Sequence, residues 1–373
     1  MISSVSGGSF ASAYYAAHGR EAFLRDFEED VLHRKIETAL ILRILAPWNW
    51  WKLWSWWYGR SDLAAEYYER LFAEKRYGDL PRVRPMLVLN ATDITMGARF
   101  AFHQNHFDRL CADLNSVPVA RGVTASSAFP VAFTQLSFRN YPDEECGRHT
   151  PTWVTNGLMD LELNASLFDL ARTAKSYEDP QRKVIHLSDG GLADNIGLRG
   201  PMEGLLLPSS PLSIHKFIND RKIERVVFII VDAKPRGEPS LDRSSHPPGI
   251  FTVLNKAATT PMENYSTDTV ELARSFIARW NLEQRGDPGV GPQVAFYAIH
   301  VRFELERDED VLEKLQSIPT RLQLPDDEVE LLVEMGGALM EQTVQYRCLM
   351  EKIGAPGSVE PVAPEDRELC PEQ

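Results

Sequence analysis

Two short segments hold side chains able to transfer an acyl group. Near the start, Ser4-Val5-Ser6-Gly7-Gly8-Ser9 places the hydroxyl of Ser6 directly before two glycines. A serine hydroxyl becomes a nucleophile when a base takes its proton and nearby donors hold the oxyanion that follows. A sharp strand-to-helix turn presents such a hydroxyl, and glycines beside it let the backbone bend and a substrate approach. Against the general G-x-S-x-G turn, the final glycine matches and the first position is Ser4. Much further on, Asp189-Gly190-Gly191 follows the apolar run Val184-Ile185-His186-Leu187-Ser188. A carboxylate at a strand end, beside flexible backbone, can accept the proton. Each segment alone also has a plain structural reading, with Ser6 or Ser9 capping a helix and Asp189 in a turn.

Rival chemistry has less behind it. A Ser-acid-His order would use Asp232, at the end of the run 225–231, and His300, near the end of 293–302. Neither carries a supporting motif. His186 is expected to face the core or a neighbouring loop. His18, His33, His103, His106 and His149 show no H-x-x-x-H pairing. The cysteines at 111, 146, 348 and 370 make no CxxC or zinc spacing and do not suggest a disulfide framework, and Cys146 stands either paired or free. No metal or cofactor is expected. Asp194 and Asn195 are expected to close a loop, and Asp93 to cap a turn.

The elements that must position these groups alternate between strand and helix, which implies an α/β layered fold. Strands are expected at 85–93, 98–102, 131–138, 184–188, 225–231 and 293–302. The continuous apolar run 225–231 suits a parallel strand covered on both faces. Helices are expected at 10–17, 21–45, 118–127, 308–317 and 326–350. With 373 residues, 43% hydrophobic and 25% charged, the composition is that of an ordinary globular protein. Forty basic against 53 acidic residues give a net charge of −13, which argues against nucleic acid as a partner.

One segment is unusual. Trp48, Trp50, Trp51, Trp54, Trp56 and Trp57 are six of the eight tryptophans in the chain. The apolar stretch from Thr38 is interrupted by Arg43, Pro47, Asn49 and Lys52, so it makes a poor transmembrane helix. Trp and Tyr favour the membrane–water interface. The segment is expected to dip into a bilayer or to cover an apolar cleft; an aromatic flap packed on its own domain is the plainer reading.

Together these segments resemble the patatin-like phospholipase family, and within it bacterial members with a long Trp-containing insertion after the nucleophile helix. Ser4 to Ser9 is similar to the nucleophile turn of that family. Ala125-Ser126-Ser127-Ala128-Phe129-Pro130 is similar to its A-S-x-A-x-P segment, and Asp189-Gly190-Gly191 to its D-G-G/A motif. The resemblance implies a Ser–Asp dyad rather than a triad, with Ser6 as acyl acceptor and Asp189 as base. Gly7 and Gly8 would form the oxyanion turn, and Gly190, Gly191, Ser126 and Ser127 would support the site. It implies hydrolysis of fatty-acyl esters of lipids without a metal, by a membrane-associated protein, in a three-layer fold with a mainly parallel central sheet.

That family carries a glycine-rich oxyanion loop with a basic residue, on the strand before the nucleophile. Only five residues precede Ser6, so the first strand and this loop are expected to be missing, through truncation, and activity to be impaired. The alternative is a non-catalytic membrane-associated protein that retains the fold. Residues 1–353 are expected to form one hydrolase domain with the Trp-rich insertion at 38–60, followed by a disordered tail at 354–373 rich in prolines and acids.

Overall fold

The computed structural model describes residues 1–373 except 82–83, 131, 142–149, 163, 208–209, 211, 221, 236–244, 287–293, 356–358 and 372–373. The chain divides into two compact units, 1–213 with 253–265, and 214–252 with 266–373.

The first unit is built on a mixed sheet of strands β1 (Ile2–Ser4), β2 (Leu87–Asp93), β3 (Ala98–Ala101), β4 (Leu136–Arg139) and β5 (Val184–Asp189). β1 runs parallel to β2, with Ser4 opposite Leu89. β2 pairs antiparallel with β3 and β5, and β4 antiparallel with β5. The family resemblance implies a mainly parallel sheet; this sheet is mixed, with β1–β2 its parallel pair, the β3 hairpin making β2–β3 antiparallel and long-range pairing making β2–β5 and β4–β5 antiparallel. The strand that enters the Ser6 turn is present as the three residues of β1.

Helices α1 (Gly7–His18), α2 (Arg20–Phe27), α3 (Ile36–Leu45), α4 (Pro47–Leu53), α5 (Arg60–Tyr68), α6 (Gln104–Arg109) and α7 (Val119–Ser126) belong to this unit. Small residues decide the close contacts. Ser9, Ser12, Ala13 and Ala17 make the buried side of α1, beside Phe10, whose ring meets Tyr68 of α5 edge-on at 4.9 Å. α7 is buried along almost its whole length because Ala120, Gly122, Thr124, Ala125 and Ser126 leave room for neighbours. The helix expected at 21–45 is broken, since α2 ends at Phe27 and α3 starts only at Ile36.

The second unit holds the parallel pair β6 (Arg225–Asp232) and β7 (Ala295–Arg302). Tyr297, Ile299 and Val301 of β7 join Leu315, Leu339 and Leu349 in its core. Thr343, extended at φ −72° and ψ 130°, splits the helix expected at 326–350 into Asp326–Gln342 and Val344–Lys352. The tail differs from the expected disorder. Val362 is buried, Pro364–Leu369 forms a helical turn, and Cys370 is disulfide-bonded to Cys348. The pairing depends on the tail folding back on a helix, which spacing alone does not reveal. Cys111 is also disulfide-bonded; Cys146 lies outside the described residues.

Candidate active site

β1 delivers Ser6 to the N-terminal end of α1, as the strand-turn-helix pattern requires. The bend is made at Ser6 itself, with φ 49° and ψ −125°. This is a region that residues with a side chain rarely occupy, at a cost of about 1–3 kcal/mol. Gly7 and Gly8 are the first residues of α1 and show no positive φ. The flexibility expected of them is not used in the turn. Instead, a Cβ on Gly7 would meet nothing within 4 Å, so the space in front of it is open. Ser6 does not cap α1 with its side chain. Its Oγ donates to Oδ2 of Asp189 at 2.9 Å.

Asp189 ends β5 and is 1% exposed. Its Oδ1 accepts the Gly191 N–H at 2.8 Å, and its own N–H donates to the Ala128 carbonyl at 3.0 Å. Burial pushes the carboxyl up to about 6, against the opposing effect of the bonds from Gly191 and Ser6. Gly190 is required by space. A Cβ there would lie 2.2 Å from the Asn90 carbonyl oxygen. At Gly191 a Cβ would meet Met262 Cε at 2.2 Å and Asn195 Oδ1 at 2.7 Å.

Ser126 joins these two loops. Its carbonyl accepts N–H groups from both Ser6 and Gly190, and its hydroxyl donates to the Asn90 carbonyl at 2.6 Å. Ser127 turns away and bonds the Val123 carbonyl. Asp194 closes the following loop by accepting from Leu198 and Arg199. Asp93 accepts from Thr95, as a turn cap does, and also from Tyr177 and Arg182.

Sequence reasoning does not single out Asn90 and Thr92 as site residues. Thr92 Oγ1 donates to the Asp189 carbonyl at 2.8 Å. Asn90 Nδ2 donates to the Ser4 carbonyl and to Ser3 Oγ at 3.0 Å each, and its Oδ1 accepts from the buried Arg99. A signal for them exists: Asn90 and Thr92 are polar residues that stand, with Asp93, in a buried strand, and buried polar groups must be bonded.

The histidines stand elsewhere. His186 is exposed on β5 and pairs with Ser137 Oγ, rather than facing the core. His18 bonds the Leu71 carbonyl and His33 pairs with Glu28. Burial pushes His106 down to about 3, with Arg99 opposing its charge. His149 lies outside the described residues. In the second unit, His300 Nε2 is 3.6 Å from Asp232 Oδ2. Among the described residues no three His, Cys, Asp or Glu side chains converge to hold a metal. Trp48, Trp50, Trp51, Trp54, Trp56 and Trp57 stand at the surface, 55–99% exposed, and do not form a flap packed on their own unit.

This geometry can support proton transfer from a strained serine to a desolvated carboxylate without an intervening imidazole. A family model described as patatin-like phospholipase matches residues 1–202. No curated protein matches the chain.

Proposed function

Because the chain belongs to the patatin-like phospholipase family, we propose that it is a serine acyl hydrolase of lipid esters, with Ser6 as nucleophile and Asp189 as general base. The observation that carries this reading is the 2.9 Å hydrogen bond from Ser6 Oγ to Asp189 Oδ2. As Oγ attacks the acyl carbonyl carbon, its proton passes to Oδ2. Collapse of the tetrahedral intermediate breaks the ester C–O bond, and the leaving alcohol takes the proton from Asp189. Water then attacks the acyl-enzyme, gives its proton to the same carboxylate, and Ser6 leaves with that proton as the fatty acid is released. A base with a pKa near the working pH suits both half-reactions.

The Gly7 N–H has no acceptor among the described residues and stands next to Ser6, where the oxyanion forms. A single donor of this kind is worth about a hundred- to thousandfold in turnover. Membrane association belongs to the same reading, since lipid esters are met at an interface.

The test is labelling by a fluorophosphonate probe alongside hydrolysis of a p-nitrophenyl acyl ester. Wild type is expected to label and to hydrolyse; Ser6→Ala loses both, and Asp189→Asn loses nearly all hydrolysis. Hydrolysis that survives Ser6→Ala overturns the assignment. A wild type that neither labels nor hydrolyses favours the non-catalytic, membrane-associated alternative.

A further inference from the structure

The first unit leaves an apolar edge in water. On α3, Thr38, Ile41, Leu42 and Leu45 are exposed, spaced i, i+3, i+4 and i+7 along one face. A surface helix normally keeps polar residues on that face. The opposite side of α3 is also apolar, with Ile36 and Leu40 buried. α4 and the turn after it continue the edge with the six exposed tryptophans, Trp56 reaching 99%. An apolar patch this continuous marks a contact surface.

Charge identifies the occupant. Residues 31–60 carry Arg34, Lys35, Arg43, Lys52 and Arg60 against Glu37 alone, a net +4 within a chain of net −13. Lys52 and Arg43 share Glu66. Arg34 and Lys35 are exposed just before α3, and their cationic side chains have no ion-pair partner among the described residues. Tryptophan and leucine beside basic side chains are the composition of segments that lie in the headgroup region of a bilayer. No helix among the described residues is long and apolar enough to cross a membrane. We propose that the exposed face of α3, with α4 and Trp54 to Trp57, docks on a lipid bilayer containing anionic lipid, Arg34 and Lys35 meeting its headgroups. α3 packs on α5, and α5 on α7, the helix that carries Ser126, so docking holds the unit bearing Ser6 at the surface.

This contact rests on the lipid-ester reading for its purpose but not for its measurement. Co-sedimentation uses vesicles of phosphatidylcholine alone and of phosphatidylcholine with phosphatidylserine, with nitroxide-labelled lipid to quench tryptophan emission. Wild type is expected to bind the anionic vesicles more tightly and to be quenched by the nitroxide. Arg34→Gln with Lys35→Gln weakens binding to anionic vesicles by about 30-fold and leaves the zwitterionic ones unaffected. Replacing Trp50, Trp51, Trp54 and Trp56 by Ser weakens binding to both by at least about 100-fold, with the circular dichroism spectrum and melting temperature retained. Equal binding by the tryptophan variant, indifference to phosphatidylserine, or a self-associated wild type that the tryptophan changes convert to monomer would each overturn the proposal. Loss of Ser6 labelling with vesicle binding intact would remove the catalytic reading and leave the docking surface standing.

Discussion

The main-chain carbonyl of Ser126 accepts the N–H of Ser6 at 3.2 Å, and the same oxygen takes the N–H of Gly190 at 3.0 Å. One acceptor thus ties the nucleophile turn to the aspartate loop, across 120 residues of sequence in one direction and 64 in the other (126 − 6 and 190 − 126). The Ser126 hydroxyl adds to the tie. It accepts the Ser6 N–H at 3.1 Å and donates to the Asn90 carbonyl, so Ser9 Oγ, 2.8 Å away, must be its remaining donor.

Ser126→Ala therefore keeps the carbonyl and removes the hydroxyl. It leaves the Ser9 hydroxyl and the Asn90 carbonyl short of a buried partner, which costs about 1–3 kcal/mol of stability. A looser Ser6 misplaces the attacking oxygen, so kcat is expected to fall about tenfold with KM little changed. Thermal unfolding and steady-state kinetics read the two effects separately. An unchanged kcat would show that the carbonyl alone positions the turn.

Asp189 gives opposite pH signatures in activity and stability. Its folded pKa, about 6, stands above its ordinary value of 3.8 because burial disfavours the charge. The base must be ionised to act, so kcat/KM is expected to fall as pH drops through about 6. The folded state holds this proton more tightly than the unfolded chain does, so stability declines as pH rises from about 4 to 6 and stays lower above it. At about 1.4 kcal/mol per pH unit, the ionised carboxylate costs the fold about 3 kcal/mol. Asp189→Asn removes that cost. The variant should melt above wild type at pH 8, and the difference should shrink towards pH 4. A wild-type advantage at pH 8 would mean that the charge is better compensated than its surroundings indicate.

The backbone at Ser6 makes a separate prediction. With φ at 49° and ψ at −125°, any side chain there is strained, and glycine is not. Both Ser6→Gly and Ser6→Ala lose the hydroxyl and its bond to Asp189. They differ in strain, worth about 1–3 kcal/mol, less about 0.5–1 kcal/mol for the added freedom of glycine when unfolded. Ser6→Gly is expected to melt above Ser6→Ala. The reverse order would place the relaxed turn elsewhere than at residue 6.

Ser6 and Asp189 enter as candidates through two glycine-flanked segments and the family resemblance that these carry, since each segment alone also reads as a cap or a turn; the structure sets the two side chains 2.9 Å apart. Strand β6 and the segment leading to Asp189 are legible as strands because short runs rich in Val and Ile favour extended backbone. The cover on both faces expected of 225–231 is not found: Val227, Ile229 and Val231 are exposed and Ile230 is buried, as in a two-stranded sheet packed on one face. Three features are not legible. Antiparallel pairing of β2 with β5 is set by long-range contact, and an apolar run does not say which neighbour it will take. The helix Ile250–Gly286 contains Pro261, a residue that normally ends helices. The order of the tail comes from the Cys348–Cys370 bond and the buried Val362, which prolines and acids in its composition conceal.

Gly190 tests whether the Asp-Gly-Gly segment is built for close approach or only for flexibility. Its φ of −64° suits any residue, so conformational freedom is not the reason for glycine. Space is the reason, because a Cβ would stand 2.2 Å from the Asn90 carbonyl oxygen and 2.8 Å from its carbon. Those atoms belong to the central strand β2 and cannot turn aside. Gly190→Ala must push the aspartate loop away from β2, lengthening the Ser6–Asp189 bond and the Gly190 bond to Ser126. Overpacking of this kind costs about 1–3 kcal/mol. The variant is expected to melt below wild type and to lose at least about tenfold in kcat/KM through the misplaced base. Gly191→Ala offers the contrast, because its Cβ would meet side-chain atoms alone, Met262 Cε at 2.2 Å, Asn195 Oδ1 at 2.7 Å and Asp189 Oδ1 at 3.1 Å, and no backbone of β2. If Gly190→Ala is tolerated as well as Gly191→Ala, contact with β2 is not what fixes the position of Asp189.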